Sequence, residues 1–143
     1  MYGDTDQLRR RVDQLREQGV DVRTLADQLV ARTESLGWTG RAADAMKVRI
    51  HERATHLREA AADHETAADT LQQHLTDVAL LQEAIAQREH EAASLLADAH
   101  TRVAQAEVAE DDDRALVDFV PPPTGHRDWL TVELPGLREG RQP

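Results

Sequence analysis

The residues best suited to chemistry in this chain of 143 residues are its seven histidines, since imidazole binds zinc and exchanges protons near neutral pH. The segment from His51 to His56 has the residue types of a zinc metalloprotease helix, in which two histidines four residues apart bind the metal. Here they are five residues apart, so on a helix they point about 140° away from each other. The chain also has no Glu-x-x-His pair for a carboxylate di-iron centre. We therefore expect no metal site.

Other catalytic groups are equally poorly supported. The two serines, Ser35 and Ser94, lie outside any Gly-x-Ser-x-Gly turn, and the chain has no cysteine. Its seven glycines are too dispersed to form a phosphate-binding loop. We interpret the carboxylates of the helical segments as a solvated surface. The sequence thus predicts no catalytic residue and no cofactor, and we expect the protein not to be an enzyme.

The charge narrows the range of partners. The formal net charge is −10, the opposite of the basic balance that nucleic-acid binding requires, and it also disfavours anionic membrane surfaces. No stretch approaches the roughly 18 apolar residues of a membrane span, so we expect no integral membrane segment. Residues 1–11 are charged and contain no apolar stretch, which predicts no cleaved secretory signal peptide.

The composition predicts an all-α fold. The chain has 22 alanines, only four aromatic Phe, Trp or Tyr residues, and no proline before residue 121. The first segment has two rows of residues at seven-residue spacing, typical of a tightly packed helix pair. The leucine row consists of Leu8, Leu15, Val22, Leu29 and Leu36, and the small-residue row consists of Val12, Gly19, Ala26 and Thr33.

The second segment is much longer than the first. A row at seven-residue spacing begins at Ala43 and Ile50 and continues to Ala99 and Ala106. His64 lies on this row, and we interpret it as partly exposed, although protonation of a buried imidazole would loosen a helix pair. An unbroken second helix would be roughly 105 Å long, against roughly 50 Å for the first. We favour an antiparallel helical hairpin with a long, continuous second helix. The alternative is a three-helix up-down bundle with a break at residues 72–77.

Because the second helix is longer than the first, part of its apolar stripe is not covered by the first helix. Such a stripe predicts contact with another molecule. The partner would be a second copy or a different helical hairpin, giving a homodimer or a heterodimer. The residues that we assign to this interface are Leu71, Leu75, Val78, Leu81 and Ile85.

The last part of the chain is predicted to be an extended tail. The acidic run from Glu110 to Asp113 lies where the helix dipole is already negative, so we expect the helix to end near residue 110. Asp113 could cap one short extra turn, and prolines 121–123 favour an extended chain after it. We accordingly divide the chain into a helical hairpin domain, residues 1–113, and a Pro- and Gly-containing tail, residues 114–143.

The junction between the two helical segments is distinctive. Gly37 suits the left-handed position that closes a helix, Gly40 permits the chain to reverse, and the Trp38 indole between them can plug the open end of the hairpin. With the heptad helix before it and the alanine-rich helix start after it, residues 4–80 resemble the Trp-x-Gly (WXG, ESAT-like) family of type VII (ESX-like) secretion in actinobacteria and related Gram-positive bacteria.

The resemblance implies a hairpin that pairs into a four-helix bundle, and export from the cytoplasm without a cleaved signal peptide. It assigns Trp38 and Gly40 a structural role in the turn. The family's export signal, a tyrosine followed four residues later by an acidic residue after the second helix, is absent from that place, since the only tyrosine is Tyr2.

We therefore expect a non-catalytic helical-hairpin interaction protein, a type VII secretion substrate or its partner subunit. One alternative is a cytoplasmic coiled-coil adaptor or chaperone that is not exported. A second is a monomeric three-helix bundle that carries its function in residues 125–130.

Overall fold

The structure, a computed structural model, describes residues 2–138. The elements in chain order are α1 (Tyr2–Ser35), α2 (Arg41–Gln105), α3 (Asp111–Val117) and a 3-10 helix (Arg127–Thr131). No strand occurs between residues 2 and 138. The predicted all-α class is therefore confirmed.

Helix α1 packs along the first part of α2 in the opposite direction. The direction follows from the side-chain pairs Arg16–Asp69 and Arg58–Asp27, in which an earlier residue of α1 meets a later residue of α2. These pairs are exposed and contribute little to stability, but they mark the register. The buried layer between the helices consists of Val12, Gly19, Ala26 and Thr33 from α1 and Ala54, Ala61, Ala68 and Leu75 from α2. The small-residue row is therefore a packing surface, as its spacing predicted.

At Gly19 the backbones of α1 and α2 lie close together. A Cβ atom placed on it would lie 3.3 Å from the Ala61 carbonyl oxygen and 3.5 Å from the His64 Cβ atom. Such a separation leaves almost no room for a side chain. The glycine therefore lets two helix backbones meet, which explains its presence in the interior of a 34-residue helix.

The connector between α1 and α2 depends on two glycines with positive φ. Gly37 has φ +64° and Gly40 has φ +104°, and residues with a Cβ atom rarely adopt either conformation. The Gly40 carbonyl oxygen accepts the first hydrogen bond of α2, from the Asp44 amide at 3.0 Å. The Lys47 Nζ donates to the Trp38 carbonyl oxygen at 3.0 Å and ties the connector to α2.

Helix α2 is continuous over 65 residues. The alternative of a break at residues 72–77 is wrong, because these residues are helical without interruption. The helix ends at Gln105, earlier than the expected position near residue 110. The acidic run instead begins α3, where Asp111, Asp112 and Asp113 lie in the first turn, the end of a helix that favours negative charge.

The chain divides into two compact units between Thr76 and Asp77, whereas we placed the boundary at residues 113 and 114. In the second unit, α3 and the segment after it pack on the later part of α2. We call residues 118–138 the C-terminal strap. Its core cluster is Ile85, Ala92 and Trp129, with Leu96, Phe119, Val132 and Leu134 packed against it. One short extra turn was expected at Asp113, and α3 supplies it, with Glu110 instead of Asp113 at the N-cap position. The expectation of an extended tail is wrong at the 3-10 helix. For residues 139–143 that expectation lies outside the described residues.

Candidate interaction surface

The five residues that we assigned to an intermolecular interface do not form one exposed stripe. Leu75 is 5% exposed and lies in a core cluster with Val12 and Ala68, against which Leu71 also packs. Ile85 is 7% exposed and lies under the C-terminal strap. The uncovered stripe predicted from the sequence is therefore wrong at Leu75 and Ile85, because the chain itself covers both side chains.

The other two assigned residues differ from each other. Val78 is half-buried, and Leu81 is 48% exposed. Its neighbour Leu80 is also exposed. Of the five, Leu81 is therefore the side chain that keeps a large apolar surface in solvent.

A different apolar surface lies on one side of the α1–α2 pair. The leucine row of α1 and the Ile50 row of α2 occupy equivalent heptad positions, and in an antiparallel pair such positions lie on the same side of the contact. In agreement, Leu8, Leu15 and Leu71 pack against one cluster. All members of the two rows from Leu8 to Leu29 and from Ile50 to Leu71 are half-buried, in contrast to the buried small-residue row.

Two exposed side chains extend this surface. Leu25 lies three residues after Val22 and four before Leu29, and it is exposed. Met46 has the same position relative to Ile50 on α2 and is also exposed. We call the whole surface the pairing face. It consists of Leu8, Leu15, Val22, Leu25 and Leu29 of α1 and Met46, Ile50, Leu57, His64 and Leu71 of α2.

His64 is the only titratable residue in the rows of the pairing face. Its Nδ1 lies 2.8 Å from the Ala60 carbonyl oxygen, one turn earlier, and the side chain is half-buried. This position agrees with our interpretation of a partly exposed histidine. In the part of the chain that the structure describes, no three His, Cys, Asp or Glu side chains form a group able to hold a metal ion.

The Trp38 indole does not plug the end of the helix pair. Trp38 is 53% exposed, and Leu36 beside it is exposed as well. The connector and the first turns of α2 enclose a shallow, open depression of about 390 Å³, which is lined by Trp38, Thr39, Ala42, Ala43 and Met46. The small residues Thr39, Ala42 and Ala43 leave too little side chain to cover the ring. We call the connector and the first turns of α2 the tip. The tip is an apolar surface next to the pairing face.

Arg88 is a structural residue that our sequence analysis missed. Its guanidinium is buried and donates hydrogen bonds to three backbone carbonyl oxygens of the later chain: Trp129 at 2.8 Å, Arg138 at 2.7 Å, and Val132. Arg88 follows Ile85 by three residues and precedes Ala92 by four, so it lies on an apolar helix face. The position of an arginine on an apolar helix face is the sequence feature that could have indicated this role.

Three further contacts involve the C-terminal strap, two of them within it and one with α2. The Trp129 Nε1 donates to the Pro123 carbonyl oxygen at 3.1 Å, and the Phe119 and Trp129 rings meet edge to face with centroids 6.4 Å apart. The Gly125 amide donates to the Glu89 carboxylate at 3.1 Å. The strap is therefore anchored by one buried indole and by backbone groups.

The Arg102–Asp113 pair joins α2 to α3. The Arg102 Nε and Nη2 atoms donate to the Asp113 carboxylate at 2.9 and 2.7 Å, in a two-pronged arrangement. This hydrogen bonding lowers the pKa of Asp113 below its ordinary value of 3.8. The charged carboxylate is therefore the form that holds the first turn of α3 in place.

No helix within residues 2–138 is both long and apolar enough to cross a membrane. Comparison of the chain with protein-family models, with curated proteins and with solved structures finds no match.

Proposed function

We propose that this protein is a non-catalytic helical-hairpin interaction protein, a type VII secretion substrate or the partner subunit of one, that pairs with a second hairpin. The observation that carries the proposal is the pairing face, an apolar surface along one side of α1 and of the first part of α2. It retains Leu71 alone among the five interface residues that the sequence suggested.

The burial pattern supports pairing. In a two-helix coiled coil that is complete by itself, both heptad rows of each helix lie in the seam and are buried. Here the covered rows contain Gly19, Ala26 and several alanines, and the half-open rows contain the large residues. A second hairpin laid on the half-open rows would complete a four-helix bundle and cover Leu25 and Met46.

The tip supports the type VII part of the proposal. Trp38 and Gly40 stand at the turn between a 34-residue helix and a longer one, as in the Trp-x-Gly proteins that the chain resembles. The exposed indole lies where it can contact a partner, and an exposed tryptophan is a frequent energetic centre of protein interfaces. The acidic charge keeps the unpaired protein soluble.

The first experiment measures pairing with matched variants. Leu25→Glu places a charge at the margin of the pairing face, whereas Val20→Glu places one at an exposed apolar residue of α1 outside it. Size-exclusion chromatography with light scattering is expected to show an associated wild type, an associated Val20→Glu variant and a dissociated Leu25→Glu variant. All three should retain the same helix content by circular dichroism.

Two results would reject the pairing proposal. One is a wild type that is monomeric at high concentration and also fails to bind a second Trp-x-Gly hairpin from the same genome. The other is an equal loss of association in Leu25→Glu and Val20→Glu, because a non-specific effect of charge would then explain both.

The second experiment separates export from the alternative function, a cytoplasmic adaptor or chaperone. We expect the protein in the culture supernatant of intact cells, and its loss from there when the type VII secretion system is inactivated. A protein found only inside intact cells would favour the adaptor.

A further inference from the structure

The arginine ion pairs that join α1 to α2 lie on one side of the helix contact. Arg23 follows Gly19 by four residues and binds Glu65 at 2.8 Å, so this pair lies beside the small-residue row. Arg16 and Arg58 have the equivalent heptad position, and each binds a carboxylate of the other helix. On this side, the helix pair therefore neutralises its own arginines.

Three other arginines lie on the opposite side, beside the pairing face. Arg32 follows Leu25 by seven residues and therefore shares its side of α1. Arg53 follows Met46 by seven residues on α2, and Arg49 lies about one turn before Arg53. We call Arg32, Arg49 and Arg53 the basic edge. All three side chains are exposed, and none of them forms an ion pair with another residue between 2 and 138.

The basic edge lies at the same end of the helix pair as the tip. The Arg58–Asp27 ion pair marks one level of the antiparallel contact. Arg32 follows Asp27 by five residues of α1. Arg53 precedes Arg58 by five residues of α2, so both arginines lie about 7.5 Å nearer the connector than this ion pair. In a chain with a formal net charge of −10, an excess of positive charge thus lies at the end where the Trp38 indole is exposed.

Toward its other end, the same side of the helix pair carries charges of both signs. Arg11 lies fourteen residues before Leu25, and Asp4 lies seven residues before Arg11. Asp21 and Asp63 each directly precede a member of the pairing face. A second copy with its connector at the same end would place one basic edge against the other. A second copy in the opposite direction would bring this end of mixed charge, so in neither orientation does it match the basic edge well.

A helix with carboxylates at its flanking positions would match both properties of this region. Its apolar residues would cover Leu25, Met46 and the depression beside Trp38, and its Asp and Glu side chains would pair with the basic edge. Opposite charges at the margin of an interface raise the association rate and select the partner. Tryptophan and arginine are also the residues that most often dominate interface energies.

The geometry points to a partner hairpin with acidic flanking positions, which pairs with the basic edge and binds the pairing face more tightly than a second copy of this chain does. This inference rests on the proposed function, because it uses the same pairing face. It adds the chemistry that the partner presents and the end of the helix pair at which the partner is selected.

The test compares matched charges on the chain and on a probe. The full chain is used as wild type and as two variants with equal loss of charge. The basic-edge variant combines Arg32→Gln, Arg49→Gln and Arg53→Gln. The control variant removes three exposed arginines of α1 and α2 outside the pairing face: Arg9→Gln, Arg10→Gln and Arg41→Gln.

The probes are two labelled synthetic helices of about four heptads, with Leu and Ala at the inward positions. One carries Glu at the flanking positions, and the other carries Gln there. Fluorescence anisotropy measures the affinity of each peptide for each form of the chain, and circular dichroism checks that the variants keep their helix content.

The Glu peptide is expected to bind wild type about tenfold more tightly than the Gln peptide, since three exposed charge pairs together give a moderate gain. The basic-edge variant should bind both peptides equally, and the control variant should keep the tenfold preference. Excess Glu peptide should also dissociate self-associated wild type in size-exclusion chromatography.

Four results would contradict the inference, and they separate it from the proposed function. Equal affinity of wild type for the two peptides would overturn the acidic partner and leave the pairing face intact. Loss of the preference in the control variant as well would assign it to net charge instead of the basic edge. Self-association that persists at saturating Glu peptide would make a second copy the preferred occupant. Failure of both peptides to bind folded wild type would reject the pairing face itself.

Discussion

Enlarging Gly19 tests the close contact on which the α1–α2 pair depends. Two changes are compared: Gly19→Ala, which adds one methyl group, and Gly19→Leu, which adds a whole side chain. The control is Gly3→Ala in the same helix, because a Cβ atom at Gly3 would meet nothing within 4 Å. The control therefore measures helix propensity without the contact.

The expected magnitudes follow from two opposed effects on the free energy of unfolding. Replacing glycine by alanine in a helix interior favours the folded state by about 1 kcal/mol. At Gly19 the added Cβ would lie 3.3 Å from the Ala61 carbonyl oxygen, which belongs to a helix backbone and cannot rotate away. Separating the helices by a few tenths of an ångström loosens the buried row on both sides. We therefore expect Gly19→Ala to gain little or nothing.

Gly19→Leu has no space for its side chain and must push α1 away from α2. Overpacking of this kind costs about 3 kcal/mol, at the upper end of its usual range. In a chain of this size such a loss lowers the melting temperature by about 10 °C. Thermal unfolding followed by circular dichroism at fixed protein concentration measures all three variants. A Gly19→Leu protein as stable as wild type, or a Gly19→Ala protein stabilised by the full 1 kcal/mol, would refute the close-contact explanation.

Three further predictions concern exposure, packing and pH. Trp38→Ala should change the free energy of unfolding by less than about 0.5 kcal/mol because its indole is exposed, whereas Trp129→Ala should cost about 3–5 kcal/mol because its indole is buried. Leu75→Glu should destabilise the protein strongly, and Leu81→Glu should not, since only the first side chain is covered. Asp113→Asn should lower the melting temperature at pH 7, and the difference from wild type should decrease as the pH falls below about 4 and through the lowered pKa of Asp113.

The direction of the pH effect follows from the lowered pKa of Asp113. A carboxyl group whose pKa is lower in the folded state stabilises that state when it is ionised, above the unfolded value of about 4. The stabilisation decreases as the pH falls through the folded pKa, because protonation removes the charge that Arg102 binds. A difference between wild type and Asp113→Asn that does not decrease at all as the pH falls below the unfolded value of about 4 would contradict this assignment.

The exposure predictions have equally direct contrary results. Measured by chemical denaturation, equal losses of stability for Trp38→Ala and Trp129→Ala would show that the tip is packed. Equal losses for Leu75→Glu and Leu81→Glu would mean that Leu81 is covered in the folded protein.

The sequence by itself determined the local and periodic features. Alanine content and the confinement of proline to the last residues predict helices, because these preferences act on the residue itself. The small-residue row from Val12 to Thr33 was readable because heptad spacing places its members on one side of a helix. Gly37 has its positive φ for a similarly local reason.

Only the tertiary structure decided what covers each apolar row. Ile85 is buried by Trp129, which lies far along the chain in a segment without periodicity, so no spacing rule connects the two. Arg88 finds its three acceptors 41 to 50 residues later, on carbonyl groups that every residue possesses and that leave no trace in the sequence. Periodicity predicts that a helix face is apolar, but the covering segment is chosen by contacts between distant parts of the chain.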